Sequence, residues 1–129
     1  MSKTIVRLKI LSPTRLPEEI NSLLGVQCDK SWRTGDFRAN TKIQEKTYGW
    51  ILNSGMGESE SLEAQVEALL KRLRPCAKEI EALSREHETT VEFSCVVYSA
   101  ETPALHFDRS VVQEVSRLGA ALDIDLYIL

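Results

Sequence analysis

The segment ALDIDLYIL at positions 121–129 alternates with a period of two. Leu122, Ile124, Leu126 and Ile128 fall on one side and Asp123, Asp125 and Tyr127 on the other, which predicts a strand with one buried and one solvated face. The same period runs through TIVRLKILS, Thr4 to Ser12. There Val6, Leu8 and Ile10 take the core side, Ile5, Arg7, Lys9 and Leu11 the other, and Pro13 stops the strand. TYGWILNSG, Thr47 to Gly55, reads as a strand in which Tyr48, Trp50 and Leu52 alternate with Gly49, Ile51 and Asn53. TVEFSCVVYSA, Thr90 to Ala100, reads as another, and KSWRTGDFR, Lys30 to Arg38, as a short strand or only a turn at Thr34-Gly35-Asp36.

The intervening segments switch to helical spacing. In LPEEINSLLG, Pro17 suits a first turn, Glu18 and Glu19 suit its positive end, and Gly25 suits the cap beyond its far end. That predicts a short helix burying Ile20, Leu23 and Leu24. SGMGESES is a loop with Ser59 or Ser61 as the next N-cap. Leu62, Val66, Leu69, Leu70 and Leu73 then form one apolar stripe, which Pro75 must break because its ring removes a donor and clashes with the preceding turn. A second helical stretch from Cys76 to about His87 carries Ala77, Ile80, Ala82 and Leu83. In PALHFDRSVVQEVSRLG, Asp108 is the predicted cap, with Phe107 as a staple on Val112. Val111, Val112, Val115 and Leu118 make the buried face, and Gly119 is the stop.

Strands with one polar face, separated by helices, predict an α+β fold. The expected form is a two-layer sandwich, a mainly antiparallel sheet with helices packed on one face. Its specific arrangement is a ferredoxin-like variant with an added helix–strand unit. With 129 residues, no internal repeat and no linker, a single domain over 1–129 is expected.

Composition narrows the function classes. Apolar residues make up 43% and charged residues 27%, enough apolar surface to offset the ordering entropy of a folded domain. The net charge is −3, so a nucleic-acid partner or an anionic membrane surface is not expected, since both reward a basic face. Lys71, Arg72 and Arg74 cluster, but Glu63 and Glu67 on the same segment make a solvated helix face the simpler reading. No apolar run approaches a membrane span, and MSKTIVRLKILSP lacks the apolar core of a signal peptide. Cys28, Cys76 and Cys95 are odd in number and have no close pair, unlike a disulfide framework or a zinc site. A cytoplasmic, reduced protein without metal or cofactor is the expectation.

Four features together resemble a known family: the Gly35-Asp36 turn, the strand YGWILNS, the helix LEAQVEALLKRLRP, and the ending VSRLGAALDIDLYIL. They resemble the small bacterial domain-of-unknown-function family numbered 4279, from about Ile5 to Leu129. The resemblance implies a compact bacterial domain, mostly standing alone, with no established activity to carry over.

Candidate chemistry is sparse. Thr34-Gly35-Asp36 supplies a turn, and Arg33 and Arg38 flank it with planar guanidinium forks suited to a carboxylate or phosphate. No glycine-rich phosphate loop surrounds them. Asp123 and Asp125 share a strand face and could hold a metal or share a proton. The preferred reading is that they pair with Arg7 and Lys9, with the first and last strands as neighbours, at about 0.2–1 kcal/mol per pair. His106, Asp108 and Ser110 include the residue types of a hydrolase triad, but no G-x-S-x-G elbow accompanies them. The candidate binding residues are Arg33, Asp36, Trp50, Asp123, Asp125 and Tyr127.

Two functions remain open. One is a non-catalytic protein-interaction module, immunity-protein-like or self-associating as a homodimer through the polar sheet face and a C-terminal edge strand. The other is a small-ligand-binding protein or small enzyme with an Arg/Asp-lined cleft. The second requires Arg33 and Asp36 to converge with Asp123 or Asp125.

Overall fold

A computed structural model of the chain describes residues 2–129. Its elements in chain order are strand β1 (Lys3–Ser12), helix α1 (Pro17–Leu24), strands β2 (Lys30–Trp32) and β3 (Tyr48–Asn53), and helix α2 (Leu62–Leu73). A single 3₁₀ turn (Arg74–Cys76) follows, then helix α3 (Ala77–Ser84), strand β4 (Thr90–Ser99), helix α4 (Arg109–Arg117) and strand β5 (Ala121–Ile128). Pro75 sits in the 3₁₀ turn and divides α2 from α3, because a proline cannot supply the amide that a continuous helix needs there. Ser61 caps α2, its hydroxyl accepting from the Ala64 N–H at 3.1 Å. Gly25 and Gly119 end α1 and α4 with φ of 68° and 70°, a region where glycine costs little.

The five strands form one open sheet in the order β2-β3-β1-β4-β5. Pairs β2–β3, β3–β1 and β1–β4 are antiparallel, and β4–β5 is parallel. Two split βαβ units therefore interleave. In the first, β1 and β2 run parallel with β3 between them; in the second, β3 and β4 run parallel with β1 between them. That is the ferredoxin-like arrangement, and α4–β5 is the added unit on its β4 side. Because β4 lies between β1 and β5, the ion pairs between Arg7 or Lys9 and Asp123 or Asp125 do not form; Lys9 pairs instead with Glu92 on β4 at 3.8 Å.

One face of the sheet carries the core. Val6, Leu8 and Ile10 from β1 meet Trp50 and Leu52 from β3 and Val91, Phe93, Cys95 and Val97 from β4. The helices cover this layer with Ile20 and Leu24, with Leu62, Val66, Leu69, Leu70 and Leu73, with Ile80 and Leu83, and with Val111, Val115 and Leu118. Each of the larger aliphatic side chains so buried contributes about 1.5–3 kcal/mol relative to exposure. Leu23 and Val112, expected inside, lie on the outer sides of α1 and α4 and are exposed. Gln65 is a polar residue on the buried side of α2 and is fully satisfied. Its amide donates to the carbonyls of Thr4, Glu60 and Gly57 and accepts from the Ser54 hydroxyl at 3.1 Å.

Two bidentate ion pairs tie the helix layer together at its margins. Arg15, before α1, grips Glu86, after α3, at 3.1 and 2.7 Å. Arg74 of the 3₁₀ turn grips Glu114 of α4 at 2.8 and 3.1 Å.

The solvent side of the sheet has its own apolar contact. Trp32 of β2 lies over Gly49 of β3, and a Cβ on residue 49 would fall inside the indole ring. Gly49→Ala is expected to lower stability by about 1–3 kcal/mol, the range for overpacking. Placed in a Trp32→Ala background, it should cost much less. Urea denaturation of the two single variants and the double variant measures the difference, and additive losses would mean that the indole does not set the cost.

Candidate interaction surface

The two edges of the sheet differ in kind. At the β2 edge, the Arg33–Asp36 turn closes on itself: the Asp36 carboxylate accepts from the Arg33 N–H at 2.8 Å, and Gly35 sits at φ 93°. The Arg33 guanidinium reaches away to Glu18 of α1 at 2.6 Å. Beyond the turn, Arg38 pairs with Glu45 at 3.2 Å, and Phe37 bridges Gln44. These charged side chains are engaged with partners of their own, on an exposed hairpin extension.

At the other edge, β5 is exposed along its whole length. The period of two holds, with Leu122, Ile124, Leu126 and Ile128 on the helix side beside Phe93, Cys95, Val97 and Ser99 of β4. Yet these aliphatic side chains are 39%, 36%, 42% and 52% exposed, and Leu129 is 74% exposed. The reason is length. The nine residues of α4 span about 13 Å, whereas the eight of β5 run about 26 Å. The helix reaches only the start of the strand, where Phe107, Val112, Val115, Ala120 and Leu122 border a shallow apolar groove and Leu122 itself stays exposed.

The backbone of β5 is open as well. The Leu129 N–H donates to the Ser99 carbonyl of β4 at 2.8 Å. By alternation, the backbone groups of Asp123, Asp125 and Tyr127 also turn toward β4. Those of Leu122, Ile124, Leu126 and Ile128 turn out of the sheet. The bare aliphatic row and the unpaired ladder groups thus belong to the same residues.

On the solvent side of β5, Asp123 and Asp125 stand beside Ser94 and Val96 of β4. Tyr127 stacks on Tyr98, ring centroids 5.1 Å apart and planes 18° apart. Asp123, Asp125 and Tyr127 therefore share one stripe. Arg33 and Asp36 lie at the β2 end of the sheet, separated from that stripe by three intervening strands. Trp50 is fully buried on the helix side, its indole N–H donating to the Asn21 side-chain oxygen at 2.8 Å, so it is core and offers nothing to a partner. By alternation Trp50 shares its side with Leu52, and the strand register sets it against Ile10 of the core. The sequence reading missed the accessibility of Leu122, Ile124, Leu126 and Ile128. The signal was present in the shortness and polarity of RSVVQEVSR.

His106 and Asp108 do meet, Nε2 to Oδ1 at 3.1 Å, with side chains 81% and 70% exposed. Asp108 holds the N-cap position of α4 through its backbone, but its carboxylate faces His106 and makes no cap bond. A pair so open to water lacks the excluded, preorganised setting that acyl transfer needs.

A family model described as a domain of unknown function, DUF4279, matches residues 2–129. The chain belongs to the DUF4279 family. No curated protein and no solved structure matches it. No helix of the described DUF4279 chain is long and apolar enough to cross a membrane.

Two sets of titrating groups in this DUF4279 chain depart from their ordinary values. Burial pushes the Cys95 thiol up to about 12, with Asp123 and Glu92 adding to the effect, and burial also raises Cys76. Cys28 is half-buried. A thiolate is the reactive form, so an aromatic disulfide reagent is expected to titrate one thiol per native chain, Cys28, and the other two only after unfolding. Fast loss of all three in native buffer would contradict this burial.

The bonds to Arg15 and Arg74 hold the Glu86 and Glu114 carboxyls below their ordinary range. Folded-state pKa values lie below unfolded ones, so these groups contribute stability that is present above the unfolded value, near 4.3, and lost as pH falls through the folded value. The melting temperature is expected to fall on acidification from about pH 6 to pH 3. The fall should be shallower in Arg15→Gln/Arg74→Gln; calorimetry over that range would detect equal slopes if the pairs contribute nothing.

Proposed function

We propose that this DUF4279 chain is a non-catalytic protein-interaction module whose binding edge is β5. The observation that carries the reading is the coincidence, on one edge strand, of a bare aliphatic row with outward backbone donors and acceptors. Natural proteins ordinarily blunt such an edge with charged side chains, lysine above all, or with proline, a bulge or a covering helix; the two charges of β5, Asp123 and Asp125, stand on the solvent side and leave the aliphatic side bare. Residues Ala121 to Ile128 contain neither lysine nor proline, and α4 reaches only their beginning. An extended segment added to the edge would complete the ladder and cover the row, the mode called β-augmentation. Asp123, Asp125 and Tyr127 would then border the seam on its solvent side.

The alternative, an Arg/Asp-lined cleft for a small ligand, draws no support from the geometry, since its proposed members stand at opposite ends of the sheet. Affinity capture with tagged wild type beside Leu126→Lys and Asp36→Asn tests the proposal. A protein partner is expected to be kept by Asp36→Asn and weakened about tenfold or more by Leu126→Lys, the loss produced by roughly 1.4 kcal/mol at a buried contact. A partner indifferent to Leu126→Lys would overturn the proposal. So would a small-molecule thermal shift abolished by Arg33→Ala in the absence of any protein partner.

A further inference from the structure

We infer that the segment seated on β5 is the β5 strand of a second copy, antiparallel about a two-fold axis through Leu126. This rests on the reading of β5 as the binding edge and specifies its occupant and register. With such an axis normal to the sheet, directly opposed residues share a face, and the aliphatic row of one copy meets that of the other. Three registers then overlap by seven residues or more within 121–129. An axis at Ile124 sets Asp123 against Asp125 of the other copy, twice. An axis at Asp125 sets that aspartate against itself. Like charges directly opposed are destabilising. An axis at Leu126 sets each Asp125 against Tyr127, whose phenol can donate to a carboxylate, and each Asp123 against the Leu129 side chain, so that no aspartate faces an aspartate.

Two further observations agree with that register. Leu126 is among the residues whose N–H and C=O turn outward, so Leu126 with its copy, and Ile124 with Ile128, become hydrogen-bonded pairs of the new ladder. From Ile124 onward exposure also rises, from 36% through 42% at Leu126 to 52% at Ile128, so the axis falls on the more exposed half of the strand. The result is a continuous ten-stranded sheet, twice the five of one copy, with no free β5 edge.

Light scattering and disulfide trapping test this together. Wild type is expected to be dimeric at tens of micromolar, and Leu126→Lys, which opposes two cations at the axis, to be monomeric with an unchanged circular dichroism spectrum. In a Cys28→Ser background, Leu126→Cys should cross-link to its copy on mild oxidation, because Cα atoms of a hydrogen-bonded pair stand about 5.5 Å apart, within disulfide reach. Ile124→Cys and Asp125→Cys should not. Efficient trapping at Ile124 or Asp125 in place of Leu126 would overturn the register. A dimer that survives Leu126→Lys would overturn the seam. A monomeric wild type that binds another protein, with binding lost in Leu126→Lys, would overturn the second copy as occupant and leave the binding edge standing. A monomer with no β5-dependent partner would overturn both.

Discussion

Strand β1 is paired on both sides, with β3 from Arg7 to Ser12 and with β4 from Lys3 to Leu11. Every other element is placed by reference to it. Its inward residues Val6, Leu8 and Ile10 are buried beneath the helix layer, and its outward residues Arg7 and Lys9 keep the opposite face wet. A sheet built outward from such a strand needs helical cover in proportion to its width. Helices α1, α2 and α3 meet that need over β3, β1 and β4. The last strand outruns its cover, and the character of the β5 edge follows from that shortfall rather than from any special residue.

The helix layer is secured by means other than apolar packing alone. Gln65 shows how a polar group is tolerated at the centre: it receives one hydrogen bond and gives the rest to carbonyls at the start of β1 and in the loop before α2. Left without those partners, a buried amide would cost about 1–3 kcal/mol. The Arg15–Glu86 and Arg74–Glu114 pairs work at the rim in higher dielectric, where geometry rather than burial gives them value. Their effect is to hold α1 against the end of α3, and α4 against the 3₁₀ turn.

Much of this fold was legible in the sequence because it depends on local chemistry. The period of two in Thr4–Ser12 and 121–129, the stripe from Leu62 to Leu73, the stop at Pro75 and the glycines at 25 and 119 each act over a few residues. The ferredoxin-like arrangement followed from their order. What was not legible depends on relations between distant segments. Whether β1 and β5 touch is a matter of strand order, and β4 came between them. Whether Leu126 is dry depends on the reach of a helix fifteen residues earlier in the chain, counted from Val111. Val112 was expected inside because valine is apolar, but its neighbours Val111 and Val115 already fill the inward side of that short helix. As for the candidate site, Asp123, Asp125 and Tyr127 were read to the correct side of their strand, while Trp50 was named as a candidate binding residue although it shares its side with the core residue Leu52.

The two tryptophans have a further use. Trp50 and Trp32 sit on adjacent strands, β3 and β2, yet on opposite sides of one sheet, the first sealed under the helices and bonded to Asn21, the second half-buried over Gly49. The protein thus carries two intrinsic optical reporters separated by the thickness of a single sheet. One is sensitive to the docking of the helix layer and the other to the attachment of the β2 edge, so the fluorescence of this chain is a sum of two signals that different parts of the fold control.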